Sequence, residues 1–275
     1  MHSPFDSCFS ICLDCARCQP RLSHPENPLK LLLVNGNRTQ AVTDIVLAEA
    51  RRVAAPGTAL LAVTAAFGMD IVFSHAGDVI AAHAVLDVLA KHHHGCDAAI
   101  LAISFDSGLA AARELLPIPV LGITESALHA AGQIGGRIGI ITFGEGSRAL
   151  YQEVFTRYGV LPSPPSLPIV AGVRVIDIAS TADYLSAGKM DARIVAEANA
   201  LAGEGTKAVV ICGAAMAGVA RRLQPAVSVP LVDGVASAVM RAEALVGAGF
   251  RPSAPLRPAQ TAGLSAELAA LFQRV

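Results

Sequence analysis

Ala102-Ile-Ser-Phe-Asp-Ser-Gly-Leu109 and Ile211-Cys-Gly-Ala-Ala-Met-Ala-Gly218 decide the reading of this chain. Each follows an apolar run of the kind that forms a buried strand, and each leads into a stretch with helical character. The first lies in AAILAISFDSGLAAARELL and the second in KAVVICGAAMAGVARRLQP. Matching codas follow, Ile118–Leu128 (IPVLGITESAL) and Val229–Val239 (VPLVDGVASAV). The same strand, turn, helix, short strand and helix thus recur about 109 residues apart. Strands alternating with helices predict parallel βαβ units. In such sheets ligands bind beyond the carboxyl ends of the strands, so a duplicated small, hydroxyl- or sulfur-bearing turn predicts two half-sites facing one ligand.

The rest of the chain fits this frame. From Lys30 strands are predicted at 30–35, 59–64, 98–104, 120–123, 137–142, 173–176, 208–212 and 231–232. Helices are predicted at 43–53, 78–91, 125–133, 148–158, 191–202, 235–246 and 265–273, with Thr39 or Thr43 capping the first. At 275 residues the chain is ample for a real core. It is 53% hydrophobic, yet Ala54–Phe73 is broken by Pro56, Gly57 and Asp70, and Ala208–Ala220 is too short to span a bilayer. Doubly buried parallel strands explain the apolar content. The formal net charge is −1 with no basic patch, which argues against nucleic acid and anionic membrane and for a small-molecule partner; self-association stays an option.

Four of the six cysteines, Cys8, Cys12, Cys15 and Cys18, crowd the N-terminus; only Cys96 and Cys212 follow. That is no disulfide scaffold, and with no signal-peptide core the expected setting is the cytoplasm. The N-terminal spacing invites a metal reading, but residues 1–29 are Pro- and Ser-rich without periodicity and read as a disordered extension. The 251–275 segment reads as a Pro-rich tail with a last helix. His92-His-His94 reads as a solvated helix end, and His83 and His129 as core or interface residues.

The motifs carry a resemblance. Val34-Asn-Gly-Asn-Arg-Thr39, Phe105-Asp-Ser-Gly-Leu109 and Cys212–Gly218 resemble, in order, three motifs of the hydantoin racemase branch of the aspartate/glutamate/hydantoin racemase superfamily. The resemblance covers about residues 30–250. It implies two similar parallel-sheet lobes related by a pseudo-twofold, with the ligand cleft between them and an element exchanged each way. The lobes are expected at 30–118 plus 230–250, and at 119–229. The implied activity is cofactor-independent racemisation at a carbon next to a carbonyl in a hydantoin-like or amino-acid-derived molecule. An ungapped match puts Ile103 and Gly213 where the family carries its two catalytic cysteines; Ser104 and Cys212 are each one residue away.

Such chemistry needs a base on one face, an acid on the other and a stabilised enolate between. The catalytic candidates are Cys212, Asp106 and Ser104. Cys212 is also read as a small buried hydrophobe, Asp106 as a turn residue capping the next helix, and Ser104 as a ligand contact or strand-end cap. Ser107, Gly108, Gly213, Ala214 and Ala215 offer backbone N–H groups at helix starts. Asn35 and Asn37, following the first strand, are further substrate-binding candidates or turn residues, and Thr142, which closes the equivalent strand of the second half, is a ligand contact or a cap. Neither a pyridoxal phosphate nor a metal motif is evident. A non-racemising relative, such as a decarboxylase or isomerase, and a ligand-binding protein without turnover are the alternative readings.

Overall fold

The computed structural model describes residues 28–160, 170–186, 188–252 and 258–273. The first half runs β1 (Lys30–Asn35), α1 (Gln40–Val53), β2 (Ala59–Thr64), α2 (His75–His92), β3 (Ala98–Leu101), α3 (Leu109–Leu115), β4 (Val120–Gly122) and α4 (Ile123–Ile134). The second repeats it: β5 (Arg137–Phe143), α5 (Arg148–Arg157), β6 (Val170–Ile176), α6 (Thr181–Leu185), α7 (Asp191–Gly203), β7 (Thr206–Ile211), α8 (Val219–Leu223), β8 (Leu231–Asp233) and α9 (Gly234–Gly247). A last helix, α10 (Ala266–Leu271), packs on α2. The two four-stranded sheets are wholly parallel, with orders β2-β1-β3-β4 and β6-β5-β7-β8. This is the α/β, two-lobed architecture expected from the repeat.

Alternation along the central strands divides the interior into two cores. Leu32, Val34, Ala99, Leu101, Ile138, Ile140, Ala208 and Val210 pack on one side, with residues of α2, α4 and α5. Leu31, Leu33, Ala98, Ile100, Ile141, Val209 and Ile211 pack on the other, with α1, α7 and α9. Both faces of each sheet are therefore covered, which is why the strands are apolar at nearly every position.

The exchange between lobes occurs one strand later than expected. Val120–Gly122 pairs with β3 in the first sheet, and Leu231–Asp233 pairs with β7 in the second. The chain leaves the first sheet at Gly122 and the second at Asp233. Helix α4 then packs on β7 and β5, α9 packs on β3 and β4, and the two helices pack on each other. Three-residue strands carry too little pattern to declare their sheet; the pairing is set by Pro119 and Pro230, whose carbonyls receive the Ala99 and Val209 N–H groups. No helix among the described residues is long and apolar enough to cross a membrane.

Several local expectations are corrected. The third strand ends at Leu101 rather than at 104, because the Asp106 N–H turns back to the Ile103 carbonyl. Thr39 is the N-cap residue of α1, but its hydroxyl donates to the Asp70 carbonyl instead of accepting a helix N–H. His83 and His129 are exposed, and His83 lies edge-on to Phe67. His93 is buried, its Nδ1 at 2.8 Å from the Leu89 carbonyl oxygen. Residues 1–27, with Cys8, Cys12, Cys15 and Cys18, lie outside the described residues.

Candidate active site

The two key turns correspond in register, although Asp106 and Gly213 take positive φ where their counterparts Met216 and Ile103 do not. The Ala102 N–H donates to the Val34 carbonyl as the Cys212 N–H donates to the Ile141 carbonyl. Six residues beyond each, Gly108 (φ 78°) and Gly218 (φ 81°) adopt the left-handed conformation and start α3 and α8. Glycine takes that conformation without steric cost. Ile103 thus corresponds to Gly213, and Ser104 to Ala214.

The first turn is bound to the crossing helix. Asp106 accepts the Thr124 N–H on Oδ1 (3.1 Å) and the Glu125 N–H on Oδ2 (2.8 Å), while the Thr124 hydroxyl donates to the Ser104 carbonyl (2.6 Å). A carboxylate is suited to the free N–H groups and positive dipole end of a helix start. The Tyr158 hydroxyl donates to Oδ2 as well (2.7 Å). Asp106 is fully buried with φ 51°, the one non-glycine residue at positive φ among the described residues. The other crossing helix is treated alike: Asp233 caps α9 through the Ala236 N–H and also accepts the Gly218 N–H.

Between the turns lies a cavity of about 20 Å³, lined from the first half by Asn37, Phe73, Ile103, Ser104 and Phe105, and from the second by Phe143, Ser147, Tyr151, Tyr184, Ala214 and Ala215. The Ser104 side chain lies in this lining beside the Tyr151 and Tyr184 rings from the other half, and Cys212 sits close behind them. The ends of β3 and β7 therefore meet at one place. Burial pushes both phenols up, Tyr151 and Tyr184 alike. Edge contacts with Phe105 (4.8 Å between centroids) for Tyr151, and with Phe73 (6.4 Å) for Tyr184, hold the rings.

Each predicted residue now has a place. Ser104, Asn37, Ala214 and Ala215 line the cavity. Cys212 does not; its side chain stays on the face of Ala208 and Val210 and is 3% exposed. Burial, and secondarily the charge of Asp106, push its thiol well up. Asp106 sits behind the turn. Burial raises its carboxyl to about 6, against the lowering effect of its three hydrogen bonds.

Four candidates are turned elsewhere. The Asn35 amide is spent on Thr39, Thr43 and Asn37 within its own turn. Ser107 donates to Asp78 at the start of α2 (2.5 Å). Gly108 faces Ala82 of α2. Thr142 faces Arg148, Gln152 and Val173 in a separate small cavity, its hydroxyl toward the Arg174 carbonyl (3.4 Å).

The tyrosines escaped sequence reasoning because they lie outside both key turns. One signal was available: the chain has only three tyrosines, and Tyr151, Tyr158 and Tyr184 all reach this cluster. A larger cavity of about 440 Å³ adjoins through Tyr184 and Ala215, lined by Ile45, Glu49, Arg52, Met190, Ile194 and Met216 among others. Of its charged groups, Glu49 pairs with Arg52 and Asp191 with Arg222, while Arg221 has no ion pair among the described residues. The convergent polar groups belong to the smaller cavity. Among the described residues no cluster of three or more His, Cys, Asp or Glu is arranged to hold a metal ion.

The Asp106 carboxyl makes a pH prediction. Its folded value, about 6, exceeds the ordinary 3.8, so its contribution to stability is complete below about pH 4 and is lost as pH rises through 6. Two units correspond to roughly 2–3 kcal/mol. Urea titrations of the parent and of Asp106→Asn should show the parent losing that much relative stability between pH 4 and 7. A relative gain over this window contradicts the assignment.

Residues 31–242 match the family model for Asp/Glu/hydantoin racemases. The chain belongs to that family. As a member it is an isomerase of the racemase type. The hydantoin racemase of Rhizobium meliloti is 33% identical over 226 residues, covering 80% of this racemase and 90% of the relative. The hydantoin racemase of Paenarthrobacter aurescens is 25% identical over 228 residues, covering 82% and 94%. Among solved structures, allantoin racemase from Klebsiella pneumoniae is 30% identical with a TM-score of 0.78, covering 87% of this chain and 98% of that one. Arylmalonate decarboxylase, at 14% identity and a TM-score of 0.52 over 80% of this chain and 94% of that one, shares the fold.

Proposed function

We propose that this racemase inverts the carbon next to a carbonyl in a hydantoin-type ring. It removes a proton from one face and returns one to the other in the cavity between the halves, without a cofactor. The supporting observation is the convergence of Ser104, Tyr151 and Tyr184 on a cavity built by both halves, with Asp106 and Cys212 behind them. The names of the relatives support the ring class, since allantoin is itself a hydantoin bearing a ureido group at C5.

At pH 7 Asp106 is largely ionised and is the base of this group; lying behind the turn, it acts through a water in the cavity. About 20 Å³ suits roughly one water molecule, so a ring enters as the halves part. Burial keeps Cys212 protonated, and its place in the core rather than in the cavity makes it packing behind the turn, not a group that reaches the ring. Ser104 and the Asn37 amide hydrogen-bond the ring, and the N–H groups of the Gly213–Ala215 turn hold the developing oxyanion. Small molecules are then the partner class, in keeping with a cytoplasmic setting. Lobe one comprises 30–122 with α9, and lobe two 123–233.

Solvent-deuterium uptake at C5 of a panel of 5-substituted hydantoins and allantoin, followed by proton NMR, tests the reading. The parent should exchange, and Asp106→Asn should lower the rate by about 10²–10³, as for a group acting on the reacting proton, whereas Cys212→Ala, off the cavity, should lower it far less. Parent-like exchange by Asp106→Asn removes Asp106 from the acid/base role, and a loss of about 10²–10³ in Cys212→Ala would bring Cys212 back into it. A parent that exchanges nothing moves decarboxylation or simple binding ahead of racemisation.

A further inference from the structure

The repeat is broken at one informative position. Ile103 and Gly213 are equivalent, yet only the first turn supplies a side chain there. A Cβ built on Gly213 would lie 2.4 Å from the Tyr184 hydroxyl oxygen. The hydroxyl therefore occupies the volume that a side chain from the second turn would fill. It arrives from α6, where the Ser180 hydroxyl caps the helix by accepting the Asp183 N–H. Phe143 and Phe73 flank the ring, at 5.7 and 6.4 Å between centroids. Tyr184 is 6% exposed, lines the small cavity beside Ala214 and Ala215, and faces Ser104 of the other half.

The geometry points to Tyr184 as a catalytic residue: the acid/base that the second half presents to the ring in place of a side chain at Gly213. It rests on the proposed racemisation and deepens it. The carbanion-enolate takes the phenolic proton as a C5–H bond forms. The O–H bond breaks, its electron pair stays on oxygen as phenolate, and the proton first removed rests on the base across the ring. After product leaves, a proton passes from the base to the phenolate through solvent and restores the resting form. The other enantiomer runs the same transfers in reverse, from the form in which the base holds the proton and Tyr184 is the phenolate. Burial keeps Tyr184 protonated at rest, as a donor must be.

The test follows inversion and deuterium exchange separately for each enantiomer of a hydantoin that the parent turns over. Tyr184→Phe, checked for folding by circular dichroism, should lose inversion at least 100-fold while one enantiomer still exchanges C5–H without inverting. A merely structural role would slow exchange of both enantiomers alike. As an isosteric control, 3-fluorotyrosine at position 184 lowers the phenol pKa and should move the alkaline limb of the pH–rate profile downward. Parent-like inversion by Tyr184→Phe, equal loss for both enantiomers, or an unmoved limb with fluorotyrosine overturns the assignment while leaving racemisation standing. A parent that exchanges no member of the panel overturns racemisation, and this assignment with it.

Discussion

Replacing Asp106 by alanine should destabilise the protein by roughly 3–5 kcal/mol, among the largest effects available to one substitution. Three donors lose their acceptor together: the Thr124 and Glu125 N–H groups and the Tyr158 hydroxyl. Loss of a helix cap alone costs about 1 kcal/mol, and each buried donor left unpaired adds roughly 1–3 kcal/mol. Alanine at φ 51° also loses the tolerance that aspartate has for the left-handed region. For a domain of this size each kcal/mol lowers Tm by about 2–4 °C, so calorimetry should register a fall of roughly 6–20 °C. A fall under about 2 °C would show that the cap is supplied from elsewhere. Asp106→Asn should lie between, since its amide oxygen can keep one N–H and asparagine accepts this backbone.

A single methyl group at Gly122 is expected to do comparable damage. A Cβ there would lie 2.2 Å from Asp106 Cγ and within 2.5 Å of both carboxyl oxygens. Carbon cannot share that space, and the carboxylate cannot retreat without giving up the start of α4. The backbone itself tolerates alanine, with φ −93°, so the cost comes from the contact. Gly122→Ala should therefore lower stability by about 3–5 kcal/mol on the parent, by overpacking and by expulsion of the cap. On the Asp106→Ala background, where the carboxylate is gone, the same change should cost under about 1 kcal/mol. Denaturant unfolding of the four members of this cycle measures the coupling directly. Additive losses would mean that Gly122 is required for some reason other than room for Asp106.

These two residues also bear on catalysis, because the bonds that start α4 hold the Ser104 turn in place. Thr124 grips the Ser104 carbonyl while its N–H grips Asp106. The segment that crosses between lobes is thus the segment that sets the site, and loosening it should disturb Ser104 before it disturbs either sheet.

Local chemistry was enough to specify much of this protein. Uninterrupted apolar runs at 31–34, 98–101 and 208–211, bounded by turns, have the pattern of strands buried on both faces, and the repeat of those runs with their turns made two lobes legible. Gly108 and Gly218 take the left-handed conformation at the starts of α3 and α8, where a side chain would strain the backbone. Asp106 was readable as a cap, although the helix it caps, α4, begins 17 residues later rather than next in the chain. What a side chain faces beyond a strand end was not readable. Alternation sets direction only while the strand lasts. Past Leu101 the turn at Ile103–Asp106 brings Ser104 to the cavity, whereas Cys212, one residue past β7, keeps the strand's alternation and stays in the core. Ser107 points away for the same reason, while Thr142, still inside β5, follows that strand's alternation into a separate cavity. The sheet membership of β4 and β8 was likewise a matter of tertiary pairing, since three residues hold no periodicity of their own. Tyr184 comes 80 residues after Ser104, and no local pattern records that its hydroxyl fills the space beside Gly213. Volume left empty by one residue and filled by another far along the chain exists only once the chain is folded.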